Sequence, residues 1–220
     1  MSKEIETLSV RTPTHGRVLV RRPHQPAVAG VLAGFHGYME NAAIQMTRLA
    51  AIAGSDAWTL VSIQGLHRFY RGRSEEVIAS WMTREDREDA LADNIEYTAA
   101  AIEAVITDPK QPIVCVGFSQ GVAAAFRAGI RGRHRAAGIV AVGADVPPEL
   151  LADPQVAFPR VLLLRGARDD WYTEAKLSSD VAALERRGIT PLVHVYDGAH
   201  EWTAEVAQQI AGFIAQWPAR

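Results

Sequence analysis

The sequence predicts an α/β fold built on a mostly parallel central sheet with helices on both faces. Short apolar runs alternate with stretches of helical periodicity, which is typical of βα units around a parallel sheet. Several runs are apolar throughout rather than alternating, as expected for strands covered on both faces. The predicted strands are Arg17–Arg21, Val28–Phe35, Trp58–Ile63, Ile113–Phe118, Ala137–Val142, Val161–Arg165 and Leu192–Tyr196.

Helical patterns lie between these strands, and a further strand is predicted near the start of the chain. We expect the segment before Pro13 to form an antiparallel hairpin with Arg17–Arg21. The predicted helices are Asn41–Ala53, Glu85–Thr107, Gln120–Arg131, Thr173–Arg187 and Glu201–Gln216.

Length and composition favour one domain over residues 1–220 and exclude several classes of partner. Lys plus Arg number 23 against 25 Asp plus Glu, so no basic excess favours nucleic acid or an anionic membrane. No apolar run is long enough to span a bilayer, and the first residues lack the apolar core of a secretory signal. The single Cys115 excludes an internal disulfide and fits a cytoplasmic location.

A Gly-x-Ser-x-Gly motif, Gly117 to Gly121, joins a predicted strand to an Ala-rich predicted helix. In this context Ser119 is predicted to be a nucleophile on a tight turn, since small flanking residues let strand and helix approach closely. The helix N-terminus behind Ser119 also favours developing negative charge. The alternative is an ordinary strand–helix turn in which Ser119 is only an N-cap.

A serine nucleophile needs a base, and an imidazole oriented by a carboxylate is the usual one. Acidic residues at a strand end after Ser119 are Asp169 and Asp170, with Asp145 as a weaker candidate. His200 follows the last predicted strand in a glycine-containing loop and is the predicted base. The remaining histidines are expected to be structural or surface residues: His15, His24, His67, His134 and the in-strand His194.

Four segments together resemble the phospholipase/carboxylesterase branch of the α/β-hydrolase superfamily, near its dienelactone-hydrolase-like members. The resemblance covers almost the whole chain and implies an α/β-hydrolase fold, with the acid assigned to Asp169 rather than Asp170. It also implies hydrolysis of carboxylic esters or thioesters without a cofactor. The segments are Phe35-His36-Gly37-Tyr38, Gly117-Phe118-Ser119-Gln120-Gly121, Gly166-Ala167-Arg168-Asp169 and Gly198-Ala199-His200.

The same resemblance implies an oxyanion hole formed by the backbone N–H groups of Tyr38 and Gln120. Gly37 is expected to let the backbone approach the substrate, and His36 to brace that loop. The chain departs from the family at Thr173, where a proline is usual, and Thr173 is predicted to cap the next helix. The segment between Val142 and Val161 is too short for a large cap.

An unusual run of aromatic and basic residues is expected to border the site, because it follows a predicted strand end. Arginines mixed with aromatics would suit an acidic or aromatic acyl group. The alternative is a solvated loop whose aromatic residues pack on the sheet. With the aromatic pair beside the acid, the predicted substrate contacts are Arg68, Tyr70, Trp81, Trp171 and Tyr172.

The sequence therefore predicts a cytoplasmic serine hydrolase that cleaves small or medium esters or thioesters through an acyl-enzyme. The chain shows no metal-ligand spacing and no nucleotide motif, so neither a metal nor a cofactor is expected. Two alternatives stay open, a lactone hydrolase of the dienelactone type and a catalytically silent hydrolase fold that only binds. A homodimer is also left open.

Overall fold

The computed structural model describes residues 5–24 and 28–219, and its centre is a seven-stranded sheet. The strand order is β1-β3-β2-β6-β7-β8-β9, and every neighbouring pair is parallel except β1 with β3. The strands of this sheet are β1 (Val18–Arg21), β2 (Gly30–Phe35), β3 (Trp58–Ile63), β6 (Ile113–Phe118), β7 (Gly138–Val142), β8 (Arg160–Gly166) and β9 (Leu192–Tyr196), and β4 (His67–Tyr70) and β5 (Val77–Ser80) form a separate hairpin.

Helices cover both faces of the sheet, as the apolar strands require. One apolar cluster joins the sheet to α2, α3 and α5, and a second joins it to α1 and α6. The fold class predicted from the sequence is therefore confirmed. The helices are α1 (Ala42–Ala50), α2 (Arg87–Glu103), α3 (Gln120–Arg131), α4 (Pro148–Ala152), α5 (Glu174–Arg186) and α6 (Ala204–Ile214).

The strand predicted before Pro13 is wrong. Residues 5–17 form no strand, and β1 pairs only with β3, so β1 is an edge of the sheet. The segment instead lies against α2, where the Tyr97 hydroxyl donates to the Arg17 carbonyl oxygen and Ser9 bonds to Asp89. Side-chain contacts with a helix thus replace the ladder that alternation alone had suggested.

The β4–β5 hairpin was not predicted, because every residue of β4 is exposed and β4 carries no apolar pattern. The short helix α4 is all the helical structure that lies between β7 and β8, so the prediction of no large cap is confirmed. Within the described ranges no helix is both long and apolar enough to cross a membrane.

Candidate active site

Ser119 lies on a strained turn between β6 and α3. Its backbone has φ 50° and ψ −124°, a region that residues with a side chain seldom adopt. The turn is fixed by a 2.8 Å hydrogen bond from the Ser119 N–H to the Val142 carbonyl of β7. The strained backbone therefore projects Ser119 at the carboxyl end of the central strand.

The two flanking glycines are required by close packing. A Cβ on Gly117 would lie 2.5 Å from the Val122 Cα, and one on Gly121 would lie 2.2 Å from the Phe35 carbonyl oxygen. Both contacts involve backbone atoms, which cannot move aside without shifting a strand or helix. The Gly-x-Ser-x-Gly pattern is thus a direct consequence of how tightly β2, β6 and α3 meet.

His200 bridges Ser119 and Asp169. Its Nε2 lies 2.8 Å from the Ser119 Oγ, and its Nδ1 lies 2.9 Å from the Asp169 Oδ2. The Asp169 side chain is fully buried, whereas a quarter of the His200 side chain is exposed. An Nδ1–H donated to the carboxylate leaves Nε2 free to accept the serine proton.

The turn after β8 holds the Asp169 carboxylate in place. Its second oxygen accepts the backbone N–H groups of Trp171 at 2.8 Å and Tyr172 at 2.9 Å. Asp170 is exposed, and Asp145 forms an exposed pair with Lys176 at 3.6 Å. Of the three acidic candidates, only Asp169 contacts His200.

Gly143 is a functional position that the sequence analysis missed. Its φ is +71°, and a Cβ there would lie 3.1 Å from the His200 Cε1 and 3.3 Å from the Asp169 Oδ2. A side chain would therefore crowd the hydrogen-bonded pair. The available signal was a glycine directly after β7, at the same edge of the sheet as Ser119.

The two backbone groups predicted as an oxyanion hole are free to donate. In the described part of the chain, neither the Tyr38 N–H nor the Gln120 N–H has a hydrogen-bond partner. The neighbouring Gly37 N–H donates to the Glu40 carboxylate at 2.8 Å. Glu40 in turn receives a bidentate ion pair from Arg48, a residue that the sequence analysis did not select.

The Gln120 side chain ties the Ser119 turn to the segment after β5. Its amide oxygen accepts the Trp81 N–H at 3.0 Å, and its amide nitrogen donates to the Met82 carbonyl oxygen at 3.0 Å. Its backbone N–H therefore belongs to a residue that is anchored at the other end.

A cleft of about 370 Å³ contains Ser119 and His200. One wall is apolar and includes Met82 and Trp171. The sequence analysis missed its charged residues, because they come from three different helices or loops. These are Arg87, Arg127, Asp145 and Lys176.

The predicted substrate contacts divide into two groups. Trp171 is 74% exposed and lines the cleft, as predicted, whereas Tyr70 and Arg68 do not line it. Arg68 instead lines a different surface pocket and donates to the His15 carbonyl oxygen at 3.0 Å. Its place on the outer hairpin keeps it away from Ser119.

Three other predicted contacts are structural and fully buried. The Trp81 indole N–H donates to the His36 carbonyl oxygen, and the His36 Nε2 accepts the Gly65 N–H. Burial lowers the pKa of His36, which matches an imidazole that accepts one bond and donates another to the Gly37 carbonyl oxygen. The Tyr172 hydroxyl donates to Asp180. None of the three presents a surface to a ligand, so these predictions are corrected, although His36 does brace the loop.

His194 also has a structural contact, since its Nε2 lies 2.6 Å from Glu205. Across the described residues, no three His, Cys, Asp or Glu side chains are grouped as metal ligands would be. Thr173 accepts the Lys176 N–H and so is the N-cap of α5.

No protein-family model matches the chain, and no curated protein matches it significantly in sequence. Solved structures do match it over nearly its whole length. Esterase PE8 is 20% identical, with a TM-score of 0.71 and coverage of 93% of this chain and all of that one.

The chain has the α/β-hydrolase fold. The Bacillus cereus carboxylesterase matches 91% of this chain and 94% of its own at 18% identity, with a TM-score of 0.70. The acyl-protein thioesterase 2 of Zea mays matches 92% and 99% at 16% identity, with a TM-score of 0.68. These α/β-hydrolase structures support the resemblance that the four motifs had suggested, at the level of the fold.

Proposed function

We propose that the protein is a serine hydrolase that cleaves carboxylic esters or thioesters. The observation that supports this most strongly is the hydrogen-bonded series from the Ser119 Oγ through His200 to the buried Asp169 carboxylate. A serine in that environment differs from an ordinary N-cap, since its hydroxyl contacts a base rather than a helix N–H. Its structural neighbours include esterases and a thioesterase, which supports the same class of reaction.

The reaction proceeds in two halves. The Ser119 Oγ attacks the ester carbonyl while the His200 Nε2 accepts its proton, and the C–O or C–S bond then breaks as His200 returns that proton to the leaving group. Water then enters, His200 removes its proton, and the acyl–Ser119 ester is cleaved. Asp169 holds the imidazole and stabilises its charged form in both halves.

Negative charge develops on the carbonyl oxygen in each half. The Tyr38 and Gln120 N–H groups are the proposed donors, and two such donors fixed in advance contribute strongly to transition-state stabilisation. Gln120 is also the first residue of α3, so the helix dipole acts in the same direction.

A fluorophosphonate probe tests the proposal directly, because only an activated serine is labelled. We expect labelling of the wild-type protein and none of Ser119→Ala. An assay of p-nitrophenyl esters of increasing chain length, with acyl-CoA thioesters beside them, then defines the acyl and leaving-group range. A wild-type protein that is neither labelled nor active would favour the silent binding fold.

A further inference from the structure

The cleft beside Ser119 extends along one face of α3. Gln120, Ala123 and Arg127 recur at helical spacing, and all three line the cleft with Ser119. The Arg127 Cα lies about 12 Å from that of Ser119 along the helix axis, and helical side chains lean back toward the N-terminus. The guanidinium of Arg127 therefore forms the far end of a channel that starts at the nucleophile.

That guanidinium is buried and only partly paired. The Arg127 side chain is 5% exposed, and its Nε and Nη2 lie 2.8 Å and 2.7 Å from one Glu149 oxygen. Its Nη1 has no hydrogen-bond partner among the described residues and is buried. Burial lowers the pKa of Arg127, whereas the Glu149 contact raises it. A buried charged donor without a partner is rare, so an acceptor is expected there.

The charges around the channel favour an anionic acceptor. Arg87 and Lys176 line the same cleft, and Arg87 forms no ion pair in the part of the chain that the structure describes. The opposing carboxylates are those of Asp145 and Glu149. Three cations thus face two anions, and Arg87 is the unpaired one.

We infer that the substrate's acyl group ends in a carboxylate, which binds the Arg127 Nη1 with Arg87 nearby. This rests on the proposed hydrolase function. The acyl assignment follows from the mechanism, since the leaving group accepts the His200 proton and therefore takes the His200 side, whereas Arg127 lies along α3. A planar guanidinium with a free Nη edge suits a carboxylate.

A bridging water is the competing explanation for the free donor. A small void of about 10 Å³ lies between Arg127 and Asn94, whose Oδ1 is also buried without a partner. That is close to the least volume that holds one water. Such a water would satisfy both groups and would give no preference for charged substrates.

Matched esters separate these explanations. Mono-p-nitrophenyl adipate carries the carboxylate, and its methyl-capped diester is the uncharged counterpart. We expect kcat/KM to be about tenfold or more higher for the charged ester, a preference that salt weakens, as for a charged hydrogen bond. Arg127→Gln should bring the ratio to about one, and Arg87→Gln, at an exposed position, should lower it as well. Equal kcat/KM for both esters in the wild-type protein would overturn the inference.

The control is Arg131→Gln, one turn further along α3. Arg131 is exposed and pairs with Asp153 at 3.7 Å, so this variant removes the same charge from outside the cleft and should leave the ratio unchanged. The butyrate ester of 4-hydroxybenzoate, with its methyl-capped form, places the anion on the leaving group instead. A preference only in that pair would contradict the acyl assignment.

Failure of the inference can be told apart from failure of the hydrolase proposal. If neither adipate ester is cleaved and no probe labels Ser119, the hydrolase proposal fails. Calorimetric titration with monomethyl adipate then tests the anion site alone. We expect binding by the wild-type protein and at least about tenfold weaker binding by Arg127→Gln. No measurable binding by the wild-type protein would contradict the site itself.

Discussion

The Nε2 of His200 lies 2.8 Å from the Oγ of Ser119, although 81 residues separate them in the sequence. The topology makes this contact possible, because β6, β8 and β9 are parallel and their carboxyl ends meet at one edge of the sheet. Each of the three side chains follows one of these strands, and Gly143 follows β7 between them.

Replacement of Ser119 separates chemistry from backbone strain. We expect both Ser119→Ala and Ser119→Gly to lose about 10⁴-fold or more of ester turnover, since the triad acts as a unit. Ser119→Gly should be the more stable of the two by about 1 kcal/mol, because glycine adopts a positive φ at little cost. Turnover and urea unfolding measure the two effects, and substantial turnover by either variant would contradict the nucleophile assignment.

Asp169 and Asp170 are adjacent but should differ sharply. Asp169→Asn keeps an oxygen for the Trp171 and Tyr172 N–H groups but presents an amide to His200, which favours the wrong tautomer. We expect kcat/KM to fall by about 10²- to 10⁴-fold. Asp170→Asn is the matched control at an exposed position and should change kcat/KM less than about twofold. A larger loss from the control would reverse the assignment.

Sequence patterns predicted the parts of this protein that local chemistry specifies. The buried strands are apolar throughout, and the turn at Ser119 needs glycines on both sides, so both could be predicted from neighbouring residues alone. Arg127 could not be predicted as part of the cleft. Its role depends on α2, α3 and α4 meeting at one place, and nothing in its own helix distinguishes it from Arg131.

Trp81 and Tyr172 show the converse limit. Both are aromatic residues near a predicted site, and such residues contact ligands and cores by the same apolar surface. Which of the two occurs depends on long-range partners, here the His36 carbonyl oxygen and the Asp180 carboxylate. The neighbouring Trp171 has no such partner for its indole among the described residues, and it is exposed in the cleft.

Two glycines in helices should respond oppositely to alanine. A Cβ on Gly121 would lie 2.2 Å from the Phe35 carbonyl oxygen, so Gly121→Ala should lower the free energy of unfolding by about 2 kcal/mol or more. Nothing lies within 4 Å of a Cβ on the exposed Gly212 of α6, and Gly212→Ala should raise it by about 0.5–1 kcal/mol. Urea unfolding of both variants checks this, and a loss of stability at Gly212 would contradict it.

Asp180 should make the protein less stable as pH rises. Its Oδ2 accepts the Tyr172 hydroxyl at 2.9 Å and the Val146 N–H at 3.1 Å, and burial raises its pKa from 3.8 to about 6. The folded protein therefore holds this proton more tightly than the unfolded chain. The contribution to stability is complete below about pH 4 and is lost as pH rises through about 6.

Asp180→Asn isolates that contribution. Both hydrogen bonds go to one oxygen, so the amide oxygen of asparagine can accept them while the titrating group is removed. We expect the variant to show a flatter dependence of the unfolding free energy on pH between 4 and 7 than the wild-type protein, with the gap widening in the variant's favour as pH rises. Urea unfolding at several pH values measures this. Asp170→Asn, which removes an exposed carboxyl group, is the control, and the same slope in wild type and Asp180→Asn would show that Asp180 does not titrate in this range.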